Sequence, residues 1–284
     1  MRNFFSLHLV LIIIFLSVAS VAAQEAMSES YFQAALDAYG KENYNEAVRF
    51  ARLGLSEVEN LKTVSPKTLS RLKIRGFNIL SAVLIEQKKY ADAESVKREE
   101  ITVLESIGSQ DYPEYSTNYP MSLESLGFIL SEQNKYAEAE KIYRQALIYR
   151  EKVYGVSDKS IATSLINMGN LYRKQGKYSE AEVMSKRAFG IFGEAIDNGE
   201  FTEDDTYTFL RAARLLAQVK VEGKKYAEAE KTYKLMIPIM EKNYGRQDSN
   251  LIEPLEEYAK LLRILKRPLE ATKIETRIKQ LKLK

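Results

Sequence analysis

The stretch from Lys135 to Arg150, KYAEAEKIYRQALIYR, decides the fold because its first half recurs along the chain. Each copy places a tyrosine or a proline three residues before an alanine: YNEA at 44–47, YADA at 90–93, YAEA at 136–139, YSEA at 178–181, YAEA at 226–229 and PLEA at 268–271. Successive alanines lie 42 to 48 residues apart. A period of this length indicates stacked supersecondary units, none of which can bury its apolar face alone.

One whole unit is visible between Ala162 and Phe189, ATSLINMGNLYRKQGKYSEAEVMSKRAF. Small residues in it let two antiparallel helices approach closely, and apolar residues at helical spacing fill the seam between them. The unit resembles the tetratricopeptide repeat, in the longer form found in kinesin light chains and their bacterial relatives. The positions that carry the resemblance are Leu165, Met168, Gly169, Tyr172, Gly176, Tyr178, Ala181 and Ala188.

The resemblance covers nearly all of the chain after about residue 27. It implies an all-α fold, a right-handed superhelical solenoid of antiparallel helix pairs with about six repeats. We expect a set of small residues to pack between helices: Ala47, Ala93, Gly127, Ala139, Gly169, Ala181, Ala229 and Ala271. The predicted organisation is a signal peptide over residues 1–23 and a solenoid over 24–284, with units at about 28–62, 66–107, 114–154, 158–197, 203–245 and 248–284.

Residues 1–23, MRNFFSLHLVLIIIFLSVASVAA, have the composition of a secretory signal peptide. Arg2 provides the basic start, an apolar run follows from Leu7 to Val18, and small residues precede Gln24. Cleavage near Ala23 would export the chain to a periplasm or to the outside of the cell. The alternative is a membrane anchor that stays uncleaved, since Phe4 to Ala23 approaches the length that spans a bilayer.

Two stretches rich in helix-breaking or polar residues interrupt the repeats. Gly108 to Pro120, GSQDYPEYSTNYP, is predicted to be a surface loop, with the alternative that Tyr112, Tyr115 and Tyr119 form a binding rim. Asp197 to Asp205, DNGEFTEDD, is predicted to be a second, acidic loop.

The composition excludes several classes of chemistry. The chain has no cysteine, and its one histidine, His8, would leave with the signal peptide, so catalysis and zinc sites built on His or Cys are excluded. No glycine-rich phosphate-binding motif occurs. The formal net charge is +3, on 42 basic and 39 acidic residues, which gives no electrostatic reason to expect nucleic acid. We therefore expect no enzyme activity, no cofactor, no metal and no nucleic-acid partner.

In similar proteins the first helix of each pair lines a concave groove that holds a peptide or protein partner. Projecting that pattern onto this sequence gives candidate partner-binding residues: Arg75, Asn78, Glu124, Phe128, Asn167, Asn170, Arg173, Arg211, Arg214 and Gln218. Converging arginines would favour an acidic or carboxylate-bearing ligand. The alternative for single residues is internal pairing, for example of Arg211 or Arg214 with Asp204, Asp205 or the Glu124 face.

The sequence thus predicts an exported, non-catalytic scaffold that binds a protein or peptide, with no stable membrane insertion once the signal peptide is cleaved. The alternative is an accessory of the cell envelope that associates with itself and acts structurally.

Overall fold

The computed structural model describes residues 22–61, 64–111 and 115–283, which form twelve α-helices and no strand. The predicted fold class, an all-α solenoid of antiparallel helix pairs, is confirmed. Contacts divide the chain into an N-terminal body, which ends at Ala139, and a C-terminal body, which begins at Glu140. The predicted signal peptide lies outside the described residues apart from its last two.

The N-terminal body contains five helices and the first four residues of a sixth: α1 (22–40), α2 (Tyr44–Glu59), α3 (Pro66–Glu86), α4 (Tyr90–Asp111) and α5 (Tyr115–Glu132). The C-terminal body contains the remaining helices: α6 (Tyr136–Tyr154), α7 (Ala162–Lys174), α8 (Tyr178–Asp197), α9 (Asp205–Glu222), α10 (Tyr226–Tyr244), α11 (Ile252–Ile264) and α12 (Pro268–Lys282). Short 3₁₀ turns, Lys159–Ile161 and Ser249–Leu251, precede α7 and α11. Among the helices described, none is both long enough and apolar enough to cross a membrane.

The turn inside each described helix pair has one conformation throughout. One residue of each turn has a φ angle between 57° and 71°: Glu42, Lys88, Asn134, Gly176, Lys224 and Lys266. The N–H of the next residue donates to the carbonyl five residues earlier, over 2.7 to 2.9 Å. This is the Schellman ending, in which a left-handed residue closes the helix and satisfies a free carbonyl. Only Gly176 has no Cβ there, so the other five turns each accept strain of about 1–2 kcal/mol.

The repeat alanines lie one turn into the second helix of each pair. The N–H of each donates to the carbonyl of the residue that ends the turn, over 3.0 to 3.2 Å, and all six are fully buried: Ala47, Ala93, Ala139, Ala181, Ala229 and Ala271. Gly169 of α7 is packed as closely, since a Cβ there would stand 2.8 Å from Cδ2 of Leu215. Larger side chains at these positions would therefore push neighbouring helices apart.

Charged residues that look like a solvated helix face in the sequence also connect neighbouring pairs. The glutamate after a repeat alanine accepts a hydrogen bond at 2.7 Å from the basic residue that ends the next pair's turn, as in Glu94 with Lys135, Glu182 with Lys225 and Glu230 with Arg267. Burial alone would raise the pKa of Glu94, but hydrogen bonds from Lys135, Gln133 and Arg98 lower it to about 2. Glu94 therefore stays ionised under nearly all conditions, so its bond to Lys135 persists.

The prediction of a loop from Gly108 to Pro120 is wrong for most of its length. Helix α4 continues to Asp111 with a break at Gly108, where φ is 70°, and α5 starts at Tyr115 and includes Pro120. The rings of Tyr115 and Tyr119 stack with centroids 5.1 Å apart, and the Tyr119 hydroxyl donates to Glu105 over 3.1 Å. This packing outweighs the hydrogen bond that the proline removes from the helix. Tyr112 lies outside the described residues.

The acidic loop is found where the sequence predicts it, between the end of α8 at Asp197 and the start of α9 at Asp205. Asp205 accepts hydrogen bonds from the amide and hydroxyl of Thr202, at 2.8 and 2.9 Å, and from Lys159 at 2.7 Å. These contacts fix the beginning of α9, which carries three of the candidate binding residues.

Candidate functional site

Three helices of the C-terminal body, α7, α9 and α11, lie side by side, each being the first helix of its pair. A cavity of about 320 Å³ opens between them. We call it the arginine cavity; its lining is Ile166, Asn170, Arg173, Arg211, Arg214, Leu215, Gln218 and Glu253. Five of the ten predicted binding residues therefore line one cavity.

A larger cavity of about 570 Å³ adjoins the arginine cavity. The two share Arg211, Arg214 and Glu253, and the larger one adds apolar and aromatic side chains from α9, α10 and α11, among them Tyr207, Met236, Met240 and Pro254. The wall that the two cavities share therefore carries two arginines and one glutamate.

Arg214 is held by two carboxylates of α11. Its Nε and Nη2 donate to Oε1 of Glu257 at 3.1 and 2.6 Å, and its Nη1 pairs with Oε2 of Glu253 at 2.8 Å. Burial alone would lower the pKa of Arg214, but its hydrogen bonds to Glu257 and Glu253 raise it. The guanidinium therefore stays charged at every relevant pH.

Glu257 is fixed from three directions. Besides Arg214 it accepts hydrogen bonds from Nε2 of Gln218 at 2.7 Å and from the hydroxyl of Tyr233 at 3.2 Å. Burial, and then the negative charge of Glu257, raise the pKa of Tyr233 well above its ordinary value, so this hydroxyl remains a donor. Predicted residues Arg214 and Gln218 are thus tied to the interior of the body through one carboxylate.

Arg173 is less fully satisfied. Its Nη1 pairs with Oε1 of Glu222 at 2.9 Å, while its own Nε and Oε2 of Glu222 are buried and have no hydrogen-bond partner among the described residues. A buried donor without a partner costs about 1–3 kcal/mol, so Arg173 is held less favourably than Arg214.

Arg211 differs from both neighbours because it forms no ion pair with any described residue. Its guanidinium lies over the ring of Tyr207, with Cζ 5.7 Å from the ring centroid. The side chain lines both cavities. A contact with the face of a ring does not use up the N–H groups of a guanidinium, so these remain for a further acceptor. Of the three arginines that line the arginine cavity, Arg211 is therefore the one with no carboxylate partner among the described residues.

The remaining predicted residues lie elsewhere. Asn167 is on α7 but does not line the arginine cavity. Four others belong to the N-terminal body: Arg75 pairs with Glu29 at 2.8 Å, Asn78 accepts from Lys97 at 2.9 Å, Glu124 is buried, and Phe128 is exposed. The prediction of internal pairing for Arg214 names the wrong acids, because its partners are Glu253 and Glu257, while Asp205 binds Lys159.

Sequence reasoning missed Glu253, Glu257 and Tyr207. A signal for one of them exists: counted back from the repeat alanine, Glu253 stands at the same position before Ala271 as Arg211 does before Ala229. Aligning successive units would have placed these opposite charges on equivalent helices. No group of three or more His, Asp or Glu side chains suited to a metal ion occurs in residues 22–61, 64–111 and 115–283.

Comparison with known proteins agrees with this architecture. Residues 118–194 match the sequence model of the tetratricopeptide repeat family. No curated protein matches the chain. The kinesin-light-chain-like subtype stays a prediction, since the matching family is the tetratricopeptide repeat in general.

Three solved structures illustrate the likeness in fold. BtubC (BKLC) from P. vanneervenii has a TM-score of 0.69 and 14% identity, covering 84% of this chain and 91% of its own. A STAND signal-transduction ATPase with a tetratricopeptide repeat sensor, from Pyrococcus horikoshii, scores 0.67 at 15% identity, covering 90% of this chain and 36% of its own. Pseudomonas aeruginosa pilF scores 0.56 at 15% identity, with 91% and 93% covered. The fold is that of a tetratricopeptide repeat protein, which generally serves as a scaffold for protein–protein interaction.

Proposed function

We propose that this chain is an exported, non-catalytic scaffold that binds an acidic segment of another protein at the arginine cavity. The observation that carries the proposal is Arg211, a guanidinium on the wall shared by two cavities that has no carboxylate partner in the described part of the chain. Guanidinium groups bind carboxylates through two parallel hydrogen bonds, which gives both strength and direction.

The surroundings of Arg211 support a peptide as the ligand. Asn170 and Gln218 also line the arginine cavity, and amide side chains can both donate to and accept from a peptide backbone. The adjoining larger cavity is open and partly apolar, so it has room for the residues that flank a ligand carboxylate. Arg173 lines the same cavity, where its positive charge is paired with Glu222.

The binding proposal is tested with a fluorescein-labelled peptide in which glutamate alternates with alanine, and with its counterpart in which glutamine replaces glutamate. Fluorescence anisotropy should show that the full chain binds the acidic peptide more tightly than the neutral one. Arg211→Ala should weaken binding of the acidic peptide about tenfold or more, because charged hydrogen bonds contribute about 1.5–3 kcal/mol.

Arg144→Ala is the matched control. Arg144 is an exposed arginine of the same body, paired with Glu140 at 2.9 Å, and it lines neither cavity. This variant should bind the acidic peptide as the unchanged chain does. Equal affinity of the chain for both peptides, or equal affinities of the Arg211→Ala and Arg144→Ala variants, would disprove the proposal.

Export rests on the composition of residues 1–23 and is tested separately. We expect the protein isolated from cells to begin at Gln24, as read by N-terminal sequencing, and to be released with the periplasmic or extracellular fraction. A chain that retains its first residues and sediments with membranes would favour the uncleaved anchor instead.

A further inference from the structure

We infer that Glu253 is an internal competitor of the ligand: its carboxylate occupies the hydrogen-bonding position on Arg214 that a carboxylate of the partner protein would take. The inference rests on the proposed function, because it concerns how that same site is regulated. It makes Arg214 a second ligand-binding cation of the site, and it explains why Arg214 is paired with Glu253 when no ligand is bound.

The two carboxylates on Arg214 are held very differently. Glu257 accepts from Arg214, Gln218 and Tyr233, and its side chain is 21% exposed. Glu253 forms an ion pair with Arg214 alone among the described residues, and its side chain is 71% exposed. Glu257 is therefore a permanent counter-ion that orients the guanidinium. Glu253 is held by a single ion pair, which a ligand carboxylate can replace.

Glu253 lies where a ligand in either cavity would meet it. It lines both the arginine cavity and the larger cavity, beside Arg211 and Arg214. Its bond uses Nη1 of Arg214, the guanidinium nitrogen that Glu257 leaves unoccupied. A ligand carboxylate at this point must both displace Glu253 and tolerate its negative charge.

An exposed ion pair is cheap to break, since such pairs contribute about 0.2–1 kcal/mol. Displacement therefore does not prevent binding of a partner with several carboxylates, whereas a segment with a single carboxylate loses a larger share of its binding energy. Glu253 thus favours partners that carry several carboxylates over partners that carry one.

The test compares Glu253→Gln with Glu256→Gln, using the two peptides described above. Glu256 is on the same helix and pairs with Lys282 at 2.7 Å, but it lines neither cavity, so it controls for the loss of a surface ion pair from α11. Glu253→Gln should tighten binding of the glutamate peptide about fivefold. It should leave the glutamine peptide unaffected, and Glu256→Gln should change neither affinity.

A second readout is the dependence of affinity on salt. Removing the internal carboxylate exposes a further cation, so affinity of the Glu253→Gln variant for the glutamate peptide should fall more steeply with added sodium chloride. A general loosening of α11 would not produce that steeper fall together with tighter binding.

The outcomes separate the two proposals. If Arg211→Ala abolishes binding but Glu253→Gln binds no more tightly than Glu256→Gln, the inference on Glu253 is overturned and the proposed function stands. If neither the unchanged chain nor Glu253→Gln prefers the glutamate peptide, both are overturned.

Discussion

Residues 97 and 233 occupy the same position of the repeat, four residues after Ala93 and Ala229, yet their surroundings are opposite in kind. Lys97 is buried, and its Nζ donates to Glu100 at 2.6 Å and to Asn78 at 2.9 Å. The second oxygen of Glu100 accepts from the hydroxyl of Ser122. Every charge of this cluster in the N-terminal body is satisfied within it.

Tyr233 is buried in the C-terminal body, but its hydrogen bond connects it to residues at the surface. Its hydroxyl donates to Glu257, which binds Arg214, and Arg214 lines the two cavities. The comparison teaches that a polar group in a repeat core can serve two purposes. Around Lys97 the polar contacts stay within the core, while at Tyr233 they connect the core to a cation that lines two cavities.

The largest effect should come from removing the buried cation of the Lys97 cluster. Lys97→Met leaves the carboxylate of Glu100 buried without a cation, and breaking a buried pair in this way costs about 3–5 kcal/mol of the free energy of unfolding. Urea denaturation followed by circular dichroism measures the loss. Lys135→Met is the matched control: it removes the exposed partner of Glu94, which keeps Arg98 and Gln133, so it should cost less than about 1 kcal/mol.

The double variant Lys97→Met with Glu100→Met separates charge from packing. Position 100 is equivalent to Met236 of α10, which is buried, so methionine fits the repeat there. Replacing a whole buried pair by apolar residues is neutral or stabilising in many proteins, so the stability should return to within about 1 kcal/mol of the original chain. A double variant as unstable as the single one would mean that the cluster is needed for packing itself.

A smaller effect is expected at Tyr233. Tyr233→Phe removes one hydrogen bond to Glu257, which keeps Arg214 and Gln218, and should cost about 1 kcal/mol. Because burial raises the pKa of Tyr233, the tyrosine contributes stability that is present below the pKa of the unfolded chain, about 10, and is lost as pH rises above it. The phenylalanine variant should therefore lose less stability in alkali than the unchanged chain.

Tyr178→Phe provides the reference for that measurement, since Tyr178 is exposed and its loss should change stability by less than about 0.5 kcal/mol. Should Tyr233→Phe prove as mild, with an unchanged response to alkali, the hydroxyl would have no part in holding Glu257. Positions 97 and 233 would then differ only in that the first is charged and the second is not.

The fold was predictable because the repeat concentrates its constraints in a few residue types. An alanine fully buried in every copy, such as Ala181, leaves a pattern that survives changes elsewhere in the unit. The start of α5 could not be predicted, because Tyr115 and Pro120 carry a local preference for a loop that only contacts with α4 overcome. Long-range packing of this kind has no signature in nearby sequence.

The site was predictable only in outline. Helical spacing and the repeat put Asn170, Arg173 and Arg211 on the first helices of successive pairs, and the structure gathers them around one cavity. Whether each arginine is paired depends on acids about 40 residues away in the sequence, such as Glu257 for Arg214. Side-chain geometry decides which of the nearby acids forms the pair. Sequence can therefore propose a basic surface but not say which of its cations is available.

The ion pairs between neighbouring units, such as Glu182 with Lys225 and Glu230 with Arg267, have a consequence for how the chain can change over time. The acid belongs to one unit and the base to the next, so a duplicated or transplanted unit brings only half of each pair. Units are interchangeable where both neighbours supply the matching half. Glu140 shows a variation on this rule: it accepts from the hydroxyl of Tyr172 at 3.0 Å, and Lys177 lies over that ring instead of reaching the carboxylate. Glu140 pairs instead with Arg144 of its own helix at 2.9 Å, so the unit that carries this acid does not depend on a base from the unit that follows.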